Sequence, residues 1–148
     1  MTDASLHVTL VFLGRREPAL VSPVWEAVTR AAAGLAPPAF TAREAEWIPP
    51  RRPRLLAVDL EDREGRGATI HEAVSGALVK VGLHEAEARA FWPHVTVARV
   101  RGRARVRGET PPAIAGTPFD ARVLTLYRSD LHPAGARYVA RERRELGA

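Results

Sequence analysis

One pattern recurs in this chain: His7-Val8-Thr9-Leu10 near its start and His94-Val95-Thr96-Val97 in its second half. Both copies sit among branched and aromatic residues that favour β-strands. Along a strand, residues i and i+2 project from the same face, about 6.6 Å apart at the ~3.3 Å rise per residue. Each copy therefore sets an imidazole beside a hydroxyl. The opposite face carries Leu6, Val8, Leu10 and Phe12 in the first copy and Phe91, Val95 and Val97 in the second, apolar residues suited to a core. A lone strand histidine is most often a hydrogen-bonded structural residue. Two copies, one in each half, instead predict two lobes that face the pairs across a cleft.

The rest of the pattern agrees with a sheet-based fold. Strand-like segments fall at 6–13, 40–48, 54–60, 91–100, 119–128 and 137–143. Helical periodicity covers 18–35, where Val21, Val24, Trp25, Val28 and Ala32 line one side, and 67–81, where Ile70, Val74, Ala77, Leu78 and Val81 do the same. Proline-rich stretches at 36–38, 49–53 and 111–118 punctuate these elements as turns. At 148 residues and 46% hydrophobic content the chain makes one domain, 1–148, of class α+β. The absence of cysteine excludes disulfides, thiol nucleophiles and thiolate metal sites, and makes the cytoplasm the expected compartment. The apolar run 6–13 is broken by His7 and Thr9 and falls far short of the ~20 residues of a membrane span.

A pair of imidazoles suits phosphodiester chemistry. Free histidine has a pKa of about 6.5, so around neutrality one member of a pair can accept a proton while the other donates one. A base removes a proton from attacking water, an acid protonates the departing ribose oxygen, and the threonine hydroxyls hydrogen-bond the non-bridging oxygens. No metal or cofactor is needed. The net charge of +5 suits a polyanionic partner, although Lys80 is the only lysine and an arginine-rich, alanine-rich composition is weak evidence for RNA by itself.

Three stretches carry a closer resemblance: 6–14 (LHVTLVFLG), 91–99 (FWPHVTVAR) and 124–131 (LTLYRSDL), with Gly135 and Tyr138 beyond. Together they resemble the 2H phosphoesterase superfamily, specifically the RNA 2′,3′-cyclic phosphodiesterases once described as 2′-5′ RNA ligases. The resemblance implies a bilobal fold of two pseudo-symmetric antiparallel-sheet lobes with outer helices around a V-shaped cleft. It implies hydrolysis of RNA 2′,3′-cyclic phosphate ends to 2′-phosphates, with 2′-5′ joining as a reverse activity. It makes His7 the proton donor and His94 the proton acceptor, an assignment that the residues alone leave open. A monomer acting on RNA ends or nucleotides, away from any membrane, is the corresponding expectation.

Further residues have two readings each. Arg99 follows the second motif where the family pattern also has arginine and could join Thr9 and Thr96 in holding phosphate. Strict alternation from His94 puts it on the opposite face, so it needs a bulge or a strand end to reach the cleft. Trp92 shares the parity of His94 and could stack a base or pack in the core. The arginines at 101, 103, 105 and 107 read as a solvated hairpin edge before an RNA track. His71, His84 and His132 lack a paired threonine and read as incidental, and Ser129 has no nucleophile elbow. The alternative to an enzyme is a module that binds a nucleotide or RNA end in the same cleft without turning it over. Finally, a strand from Arg54 and a helix from Gly67 precede His94, whereas His7 has almost nothing before it. A symmetric first lobe predicts an additional N-terminal strand and helix that this sequence lacks.

Overall fold

The computed structural model describes residues 6–100, 110–132 and 135–147. A 3-10 turn, Pro18–Leu20, leads into α1, Val21–Ala31, followed by β1, Ala39–Ile48, and β2, Leu55–Glu61. Then come α2, Arg66–Lys80, β3, His94–Arg99, β4, Pro118–Asp120, β5, Val123–His132, and β6, Gly135–Glu145. One antiparallel sheet has the order β3-β2-β1-β4, and β5 pairs with β6 in a second.

Two apolar clusters correspond to the two sheets. Val24, Val28 and Ala32 from α1 meet Ile70, Val74 and Leu78 from α2, and both helices close over Leu124 of β5, with Trp25 partly buried against them. The four-stranded sheet packs around Phe40, Val58 and Leu60, joined by Val95 and Val97. The start of α2 sits close to this second cluster. A Cβ on Gly67 would lie 2.7 Å from Cζ of Phe40, so only glycine fits there. The Asp62 carboxylate accepts a 2.8 Å hydrogen bond from the Ala68 N–H, satisfying one of the free donors in the helix's first turn.

Three expectations are corrected. Segment 6–13 is not a ladder strand; its only bridge among the described residues is the antiparallel pair Val8↔Val95. The cause is that its side chains serve both clusters, Val8 the sheet cluster and Leu10, Val11 and Leu13 the helical one. The chain bends at Leu10, alternation lapses, and Phe12 emerges 75% exposed instead of buried. Second, 119–128 is two strands, because Phe119 of β4 pairs with Phe40 in one sheet while β5 turns away to pair with β6 in the other. Third, Val81 follows the end of α2 and is exposed, where the helical pattern placed it inside. The arginines at 101–107 lie outside the described residues.

Candidate active site

The second motif occupies β3. His94, Thr96 and Arg99 pair with Asp59, Ala57 and Leu55 of β2, residues that alternate along one face of that strand. The register slips between Leu56↔Ala98 and Ala57↔Thr96, so Val97 has no partner opposite it. This bulge changes the parity of the residues after it. Strict alternation would have pointed Arg99 away from His94; with one extra residue in the strand, Arg99 returns to the same face.

The first motif approaches the free edge of β3 through Val8↔Val95. Antiparallel pairing at that point sets the flanking residues crosswise, His7 toward Thr96 and Thr9 toward His94. The two histidines are then diagonal neighbours across the pair, a relation that separates residues by roughly 7–8 Å. A local twofold axis through the valine bridge relates the two His-Thr units. The valines turn to the core, and the polar pairs turn the other way.

They open on one cavity of about 220 Å³, lined by His7, Thr9, Phe12, Leu55, His94, Thr96, Arg99 and Tyr138. No carboxylate is among these residues, whereas an arginine, two imidazoles and two hydroxyls are. Such a lining favours an anion. Among the described residues no three potential metal ligands come together.

Each imidazole is held differently. The Nδ1–H of His94 donates to the Trp92 carbonyl at 2.9 Å, since a carbonyl can only accept. Nε2 is thereby left for chemistry. The Trp92 indole stacks on the same ring, with centroids 4.1 Å apart and planes 17° from parallel. His7 lies against two rings of the second sheet, Tyr138 at 4.6 Å in an edge-to-face contact and Tyr127 at 5.5 Å. Residues from both sheets therefore build the site.

Sequence reasoning located His7, Thr9, His94, Thr96 and Arg99, and the fold brings all five to one cavity. Trp92 neither lines that cavity nor enters the core; its indole rests on His94 and its Nε1–H donates to Asp59 at 2.7 Å. Phe12, Leu55 and Tyr138 were missed as lining residues. His71 was also misread. It is buried on α2, donates from Nδ1 to the Leu10 carbonyl at 2.8 Å, and stacks on Phe91 at 4.8 Å. Its spacing from Gly67, Ile70, Val74 and Leu78 put it on the packed side of the helix, where a polar ring needs a partner. That was the available signal.

Comparison with known proteins agrees with this architecture. A family model described as the 2′-5′ RNA ligase superfamily matches residues 1–130. The chain is similar to TT0787 of Thermus thermophilus, at 24% identity and a TM-score of 0.78, over 96% of this chain and 78% of that one. It is similar to E. coli LigT complexed with NADP+, at 22% identity and a TM-score of 0.71, over 98% and 78% of the two chains. E. coli LigT complexed with 3′-AMP matches at 22% identity and a TM-score of 0.70, over 98% and 79%. At these identities the solved structures establish the fold. No curated protein matches the sequence significantly. No helix among the described residues is long and apolar enough to cross a membrane. The chain belongs to the 2′-5′ RNA ligase superfamily, the 2H phosphoesterases, and has their two-sheet α+β fold.

Proposed function

We propose that this protein hydrolyses 2′,3′-cyclic phosphate ends of RNA to 2′-phosphates in the cytoplasm, using His94 as base and His7 as acid. The observation that carries this reading is the convergence of two His-Thr units and Arg99 on one cavity whose lining, among the described residues, has no carboxylate. A phosphate seated between the histidines would be reached by one imidazole from either side, as in-line displacement requires. Nε2 of His94 takes a proton from water as the water oxygen bonds to phosphorus. The bond from phosphorus to O3′ breaks, and His7 gives its proton to that oxygen. Thr9, Thr96 and Arg99 hold the non-bridging oxygens, whose charge redistributes during the step. Because proton transfer is supplied by the imidazoles, no metal or cofactor enters. With a 5′-hydroxyl in place of water, the same displacement forms a bond from O5′ to phosphorus as the bond to O3′ breaks, leaving the 2′-5′ linkage for which the family is named. Similarity to LigT, which has been crystallised with 3′-AMP, ATP and NADP+, supports a nucleotide in this cavity. Exposed Phe12 at the cavity offers a face for the base.

The test is turnover of a 2′,3′-cyclic mononucleotide, with the 2′- and 3′-phosphate products resolved, by the native protein and by His7→Ala and His94→Ala. Each substitution should lower turnover by about 10²–10⁴ with the fold intact. Binding without turnover in the native protein would replace this reading with the binding-module one.

A further inference from the structure

We propose that Trp92 is a positioning residue that fixes the His94 ring and stabilises its protonated form, a role that rests on the phosphodiesterase reading. Two contacts from this one residue act on the imidazole. Its backbone carbonyl accepts the Nδ1–H at 2.9 Å, and its indole covers the ring at 4.1 Å. The first fixes the tautomer and the second blocks rotation of the plane. The indole is itself pinned, because its Nε1–H donates to Asp59 at 2.7 Å. Asp59 stands opposite His94 in the β2–β3 register and lies 3.8 Å from the Arg43 guanidinium. Its side chain is only 16% exposed, whereas that of Arg43 is 60% exposed, so the carboxylate is the less screened of the two charges.

This arrangement acts on the charge of the ring. Against neutral imidazole the indole contributes packing. Against imidazolium it presents the negative face of its π-system, a cation–π contact, and the carboxylate on its N–H increases the electron density of that face. When His94 takes the proton from water, an O–H bond breaks, an N–H bond forms at Nε2, and the ring becomes positive. The contact with Trp92 therefore strengthens as the reaction proceeds, the condition for accelerating a step. Among the described residues, the other ionisable groups lining the cavity with His94 are His7, Tyr138 and Arg99.

The experiment follows His94 by NMR of the 15N-histidine-labelled protein through a pH titration, with turnover of a 2′,3′-cyclic mononucleotide measured in parallel. In Trp92→Leu the ring should bind its proton about two- to fivefold more weakly than in the native protein. Its kcat should fall about tenfold with KM within about twofold. Trp92→Phe, which keeps a flat ring, should restore kcat to within about threefold of native. Asp59→Asn, a substitution of equal size, should also weaken proton binding by removing the charge. Unchanged titration of His94 in Trp92→Leu overturns the proposal. So does a rise in KM alone, which would make Trp92 a substrate contact. The titration needs no substrate, so it tests the inference even if the cyclic phosphate is not turned over.

Discussion

At the residue scale the site separates groups that transfer protons from groups that hold charge, and the two kinds should fail differently. Thr9 and Thr96 offer one hydroxyl each to the cavity. Replacing either by valine keeps the shape and removes a donor to the phosphoryl oxygens. Loss of one such donor typically costs about 10²–10³ in kcat, so Thr9→Val and Thr96→Val should show kcat losses up to that range in steady-state kinetics. Arg99 should behave otherwise. Its planar fork can bind two oxygens at once, a geometry lysine cannot reproduce, so Arg99→Lys should raise KM about as much as Arg99→Ala. A lysine variant with native KM would show that Arg99 supplies only point charge. The histidines and threonines were legible in the sequence because a spacing of two places residues on one face of any extended chain. The surroundings of His94 were not, since a tryptophan two residues away can lie over a ring, over a base or in a core, and local spacing is the same in all three.

At the element scale the bulge in β3 decides what the second motif can do. Val97 is the residue left without a partner, and it packs toward the sheet cluster. Deleting Val97 would remove the extra residue and leave Ala98 and Arg99 opposite Leu56 and Leu55 as before, so Arg99 would stay on the His94 face in a regular strand. The deletion should therefore spare the KM that Arg99→Ala raises, whereas inserting one alanine after Val97 should turn Arg99 away and reproduce that defect, a result that kinetics on the three variants would read directly. The sequence stated the need for a bulge but could not supply one, because no glycine or charge marks Val97. α2 has a comparable hidden function. Through His71 it holds the backbone next to Thr9 and the ring of Phe91, three residues before His94. His71→Phe keeps a ring against Phe91 but leaves the Leu10 carbonyl without its donor, at a cost of about 1–3 kcal/mol. His71→Asn can restore the donor, so denaturant melts should show Asn as the milder substitution. The helices were legible from their 3.6-residue periodicity. The segment 6–13 was misjudged as a strand because its apolar residues divide between two cores, a division no local pattern expresses.

At the scale of the whole molecule, that division gives the first motif its leverage. Val8 belongs to the sheet cluster, and Leu10, Val11 and Leu13 belong to the helical one, so the residues bearing His7 and Thr9 are stretched between the two halves. The position of His7 relative to His94 then depends on both cores at once, whereas His94 is carried by a strand paired on β2. Stability and catalysis should part company in a pair of variants. Leu78 on α2 is 1% exposed and lies in the helical cluster away from the cavity, so Leu78→Ala should cost about 2–5 kcal/mol in denaturant unfolding. Its kcat, measured well below the melting temperature, should stay within about twofold of native, because no cavity residue depends on it directly. Leu10 is only partly buried, and Leu10→Ala should cost less, about 1–3 kcal/mol. Yet it loosens the chain immediately after Thr9, and a misplacement near 1 Å at a reacting group can lower rate by about 10². The less destabilised variant should thus be the more catalytically impaired. If the ranking of kcat instead follows the ranking of stability, the first motif is set by overall rigidity and not by its suspension between the two cores.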